Sequence, residues 1–338
     1  MSSSIARSKT LDLLVAVCTL WISCGFFLDA WAHGHVPVET FFTPYHALFY
    51  SGMLALVLVL AIFGIRHGGF PESYRYPLLG IPIFIAAGIG DLLWHHFLGV
   101  EEGVDALLSP AHQALGLGIF FISSGPILSA LRDRNALRTL TDQLPLIFAL
   151  ATWMELVHFG TAYAFDPGAG RTNAPPPAGV FTPDYLTAIA IGYYKQGMGV
   201  LVVLFQSALM AGFALFAGTR FPLRPGALTL MFLLGNFAAA AAFTNDTPLL
   251  LTVLAMSFVA GVVGDTIVAR MRPSPERIFA YRMLGTAVPA GYFATYFLAT
   301  AVADRIWWDW NVLLGAVIWA GVIGFGLTLL SQPRVHNA

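Results

Sequence analysis

Charge is scarce in this chain. Only 10% of its 338 residues are Asp, Glu, Lys or Arg, where a soluble domain carries about 25%. The net charge of −1 leaves no electrostatic footprint for DNA or RNA, so no nucleic-acid partner is expected. Cysteine is almost absent. Cys18 and Cys24 lie six residues apart in one apolar run, which excludes a disulfide scaffold and a thiolate zinc cluster. Both read as small packing hydrophobes. The sequence has no phosphate-binding loop, Ser-His-Asp set or haem-attachment motif. What fills the space is apolar: 57% hydrophobic residues, 14% aromatic, with a mean hydropathy of +0.74. These figures exclude a soluble enzyme and a disordered chain. They predict an all-α fold, a polytopic transmembrane helical bundle whose first partner is the lipid bilayer.

Ten spans are expected, at 11–31, 45–65, 77–98, 111–131, 143–162, 196–218, 226–244, 249–269, 283–303 and 311–330. Each is an apolar run bounded by Pro, Gly or charge. With that count, 14 of the 17 Lys and Arg fall on the side of the N-terminus, and only Arg171, Lys195 and Arg305 on the other. The positive-inside rule then places both termini in the cytoplasm of an inner or plasma membrane. The outer connection 163–195 is rich in Pro and Gly and reads as a surface loop or a lid. Tyr193, Tyr194 and Lys195 suggest an interfacial turn before the sixth span, and Trp307, Trp308 and Trp310 an interfacial aromatic belt. Asp265, near the inner end of the eighth span, reads as a snorkelling or paired boundary residue.

Histidine is distributed one-sidedly. Seven of the nine, His33, His35, His46, His95, His96, His112 and His158, fall at the outer ends of the expected helices. Ionisable groups at membrane depth are costly and usually face a bundle interior where they pair or bind something. The arrangement is also repeated. Asp29, His33 and Glu39 recur 62 positions later as Asp91, His95 and Glu101, while Pro44, His46 and Gly52 recur 66 positions later as Pro110, His112 and Gly118. Spans 1–2 and 3–4 thus read as two copies of one helical hairpin, and the chain divides into duplicated metal-binding hairpins over 1–140 and six further helices over 141–338. Asp29 and His33 share a helix face one turn apart. Thr43 suits an N-cap and Pro44 the N1 position, which puts His46 in the first turn of the returning helix, back at the level of Asp29. Two imidazoles and one carboxylate make a three-ligand site with open positions, suited to copper, zinc or iron. Asp91, His95 and His112 repeat it. His35, Glu39, His96, Glu101, Glu155 and His158 are candidates for additional ligands or for groups that orient one.

At Asp29-x3-His33 and Glu39-Thr40-Phe41-Phe42-Thr43-Pro44-Tyr45-His46, the sequence resembles the C subunit of the copper membrane monooxygenases, the particulate methane and ammonia monooxygenases. The resemblance covers roughly residues 25–120. It implies copper, one or two ions, at Asp29, His33 and His46. A second family site built from Asn-x3-His and a later His would correspond to Asp91, His95 and His112, with Asp in place of Asn. It further implies oxidation of a small apolar substrate by O2, in company with other membrane subunits or further copies of this chain. Which residues would be catalytic is not given by the resemblance. Two other readings stand beside it: a copper or zinc handling or assembly protein without catalysis, and a proton-coupled transporter using the Asp–His cluster.

The topology is directly testable. A membrane-impermeant thiol reagent is expected to label a cysteine placed at Thr172 but not one at Asn135; the opposite pattern overturns the orientation.

Overall fold

Several helices of this chain begin at recognisable caps. In the computed structural model, which describes residues 6–36, 42–99, 104–161, 183–243, 247–303 and 306–331, the Ser8 hydroxyl accepts from the Leu11 amide to start α1 (Lys9–His35). Thr43 does the same for α2 (Pro44–His67), accepting from the His46 amide at 3.1 Å with Pro44 at N1. Each cap satisfies a backbone donor left over at the first helical turn. There follow α3 (Arg75–Leu98), the short α4 (Val104–Leu108), α5 (Pro110–Arg132) and α6 (Leu140–Gly160), the last opened by a capping box of Thr139 and Asp142. The second half holds α7 (Pro183–Arg220), α8 (Ala227–Phe243), α9 (Thr247–Met271), α10 (Ile278–Val302) and α11 (Trp310–Leu330). No strand occurs among the described residues.

Eight of these helices are long and apolar enough to cross a bilayer, and the chain is an integral membrane protein. The described parts of the ten expected spans fall on helices, but two of those helices do not meet that measure. With 17 residues α8 reaches about 25 Å, short of a hydrocarbon core of about 30 Å. At 25 residues α10 has the length, but Arg282, Tyr281, Tyr292, Tyr296 and three threonines dilute its hydropathy. The sixth span departs furthest from expectation. It lies within a 38-residue helix, α7, that already includes Tyr193, Tyr194 and Lys195, so these continue a helix rather than forming a turn. Residues 163–182 of the expected outer loop lie outside the described residues.

The chain divides into two units, Met1–Ala162 with Leu234–Asn245, and Tyr163–Leu233 with Asp246–Ala338. In the first, α1 is central and packs on α2, α5 and α6, while α3 packs on α5. Its end remote from His33, His46, His95 and His112 is tied by a buried network. Fully buried Asp12 accepts from Arg7 Nε and from the Tyr74 hydroxyl, both at 2.9 Å, and Arg7 Nη1 donates to the Asp133 carbonyl at 3.0 Å.

In the second unit α9, α10, α11 and α7 pack together, and Asp265 has a role that its sequence position conceals. It does not snorkel. From α9 its carboxylate accepts from the amides of Gly226, Leu228 and Thr229 at 2.9, 3.0 and 3.1 Å and from the Thr229 hydroxyl at 2.6 Å. It thereby caps the start of α8, where free amides and the positive helix end favour an anion. Trp308 also departs from the expected interfacial belt: it is buried against Phe297, whereas Trp310 is exposed. Asp265→Ala strands three amides at once and is expected to destabilise the protein by about 2 kcal/mol, read as a lower melting temperature in detergent, with Asp265→Asn closer to wild type.

Candidate metal centre

Four helix ends converge in the first unit. α1 and α3 contribute their last turns, α2 and α5 their first. Close packing sets the register. A side chain at Gly52 of α2 would meet Ile22 of α1, and one at Gly118 of α5 would meet the backbone of Phe84 of α3. Gly25 lies equally close against Phe49. The glycines let the helices approach until the ends of each pair stand side by side.

Asp29, His33 and His46 meet as expected from their spacing. Asp29 Oδ2 is 3.5 Å from His33 Nε2, and its Oδ1 is 3.2 Å from His46 Nδ1. Asp91, His95 and His112 also meet: Asp91 Oδ1 is 3.5 Å from His95 Nε2 and 3.1 Å from His112 Nε2. The two groups are not separate. His46 Nε2 lies 3.9 Å from Asp91 Oδ2, and the His33 and His95 rings stack with centroids 5.9 Å apart and planes 3° from parallel. Two triads bring one ligand atom from each member within 4.8 Å of one another: His33, His46 and His95, and Asp91, His95 and His112. The first draws on both hairpins, and His95 belongs to both triads.

Asp91 is fully buried, and neither of its oxygens accepts a hydrogen bond. Its ion-pair partners among the described residues are all histidines. The protonation of His112 follows from its other nitrogen. Nδ1 stands 2.6 Å from the carbonyl oxygen of Ala106 in α4. A carbonyl can only accept, so Nδ1 carries the proton, and in the neutral ring Nε2 turns a lone pair towards the carboxylate. Two acceptors facing each other in a buried site are relieved by a cation between them, a proton or a metal ion. Ligands on a tetrahedral ion with bonds of about 2.0–2.1 Å stand about 3.3 Å apart. The spacings of 3.1 to 3.9 Å around Asp91 suit such an ion.

The remaining candidates lie apart from these triads. His35 is exposed, stacks on Trp31 with centroids 4.7 Å apart and holds the Trp31 carbonyl through Nδ1. His96 is exposed beside Phe97. Buried Glu155 accepts from the Ser23 hydroxyl at 2.5 Å, and His158 Nδ1 donates to the Gly235 carbonyl at 3.0 Å. Glu39 and Glu101 lie outside the described residues. Sequence reasoning passed over Tyr50, one turn after His46, whose ring lies 6.3 Å from the imidazole and 16° from parallel. The i, i+4 spacing was the signal available for it. A cavity of about 260 Å³ lined by Cys24, Phe27, Leu28, Trp31 and residues of α8 lies on the opposite side of α1 from Asp29, given 100° per residue.

Two glycines of α5 separate packing from propensity. Gly118→Ala must push α5 off Phe84 and is expected to lower the melting temperature. Gly116→Ala meets nothing within 4 Å and is expected to raise stability by about 0.5–1 kcal/mol through helix propensity. Equal effects in thermal unfolding would refute the close-packing account.

Compared with protein-family models, curated proteins and solved structures, the chain matches none.

Proposed function

We propose that this chain is a membrane metalloprotein with one composite centre drawn from both hairpins, that copper is its metal, and that it oxidises a small apolar substrate with O2. The observation that carries the metal is Asp91: buried, accepting no hydrogen bond, and faced by ring nitrogens of His46, His95 and His112. Removing a carboxylate from water without compensation is prohibitive, and every ion pair that Asp29 and Asp91 make among the described residues is to a histidine. Imidazole-rich sites with a carboxylate suit copper, zinc and iron, and Cu(II) binds most tightly of the divalent series.

Copper is favoured further by the likeness of Asp29-x3-His33 and Thr43-Pro44-Tyr45-His46 to the monooxygenase C subunit. Copper bound there would supply O2 binding and electron transfer. The protein's own contribution is to hold the imidazoles in fixed tautomers among apolar walls, where Phe26 lies 6.3 Å from the His112 ring. The packing register supports a duplicated hairpin: Ile22 and Phe84, met by Gly52 and Gly118, keep the same 62- and 66-residue offsets as the ligands. Few cationic residues fall on the side of the centre in the orientation read from the loops, which supports a position near the outer face.

Elemental analysis and copper EPR of detergent-purified protein test this reading. One copper per chain is expected, falling at least tenfold in His46→Ala and in His95→Ala, with His67→Ala unchanged. Because His95 belongs to both triads, its loss should leave no second site filled. Protein purified with zinc alone, silent in EPR after copper is offered, would instead favour a metal-handling role. Absence of any metal would overturn both.

A further inference from the structure

The two carboxylates of the duplicated pattern sit differently. Asp29 Oδ1 lies 3.2 Å from His46 Nδ1, and the Thr43 hydroxyl oxygen lies 3.0 Å from the same nitrogen. That hydroxyl oxygen already accepts from the His46 amide. An ionised carboxylate can only accept, so the proton belongs on Nδ1. The neutral ring then offers its lone pair at Nε2, and Nε2 is the nitrogen that faces Asp91, at 3.9 Å. In the second hairpin the corresponding proton is held elsewhere. His112 Nδ1 is engaged by the Ala106 carbonyl at 2.6 Å, and its Nε2 faces Asp91.

We propose that Asp29 is a positioning residue that fixes the tautomer and orientation of His46, and that Asp91 is the carboxylate ligand. This rests on the metal reading above and departs from a symmetric pair of Asp-His-His sites. Carboxylates that hold the far nitrogen of a metal-bound histidine are a common outer layer of such centres, and their loss typically costs 10–100-fold in affinity. The geometry gives that role to one copy of the motif and coordination to the other. His33, which Asp29 also touches at 3.5 Å through Nε2, joins the triad with His46 and His95.

The test uses the full chain in detergent, with Cu(II) as the probe. Asp29→Asn keeps an oxygen acceptor for His46 Nδ1. It is expected to retain the wild-type copper-to-protein ratio and a wild-type EPR hyperfine pattern. Asp29→Ala loses the acceptor and is expected to bind about 10–100-fold more weakly. Asp91→Asn loses a ligand and its charge, and its spectrum is expected to change outright with most of the copper lost. Melting temperatures of the metal-free variants separate these effects from misfolding. Copper loss in Asp29→Asn as complete as in His33→Ala, or an unchanged spectrum in Asp91→Asn, would overturn the proposal while leaving the metal reading intact. A wild-type protein that binds no copper would sink both.

Discussion

A carboxylate enclosed by ring nitrogens in an apolar bundle is costly unless it is paired or neutralised, and in the first unit of this protein that constraint falls at Asp91. The residue is reached from three directions, by His46 on α2, His95 on its own helix and His112 on α5. None of these helices could present its imidazole there alone. His46 comes back to the level of α1 only because Thr43 and Pro44 start α2 beside it, and His112 is turned by the carbonyl of Ala106 in α4. Polar satisfaction at one point thereby constrains the ends of four helices.

The apolar packing serves the same end. In a membrane, helices gain little from hydrophobic sorting and approach where small residues allow close contact. Gly25 and Gly52 do this between α1 and α2, and Gly118 between α3 and α5. The contacts lie one to three turns from the candidate ligands, so each pair is drawn close before the histidines are reached. Phe26, Phe49 and Phe159 fill the space beneath, with Phe26 4.3 Å from Phe159 and edge-on to Phe49 at 6.1 Å. That layer separates the imidazoles from the rest of the core.

Much of this could be read from the sequence. The 62- and 66-residue offsets and the Thr-Pro-x-His re-entry pointed to the six residues that the structure brings together, because ligand placement on a hairpin is local and follows helical periodicity. How the hairpins meet was not legible. That depends on α1 packing against α5, a contact with no signature in spacing, and it merges two expected sites into triads sharing His95. The differing roles of Asp29 and Asp91 turn on which nitrogen faces which oxygen, information no residue pattern carries. Asp265 was misread for a related reason: its partners lie 36 to 39 residues away, and a carboxylate near the end of its own helix looks like a boundary residue. The helical continuation through Tyr193, Tyr194 and Lys195 was hidden because aromatic and basic residues are equally at home in a long helix and at an interface.

The two ends of the first unit are fastened by opposite means. At one end Arg7, Asp12 and Tyr74 complete one another within the chain, with donors matched to acceptors. At the other, imidazole nitrogens and carboxylate oxygens face one another, and in the proposed reading a metal ion joins them. A molecule stitched shut at one side and held at the other by such a guest would behave as a clasp. Empty, its helix ends would loosen and exchange amide hydrogens first at the turns carrying the histidines, while the Arg7 side stays protected. Filled, the same turns would become among the slowest to open. The guest would thus report on assembly as well as on chemistry, since the clasp cannot shut until both hairpins have entered the membrane and found each other.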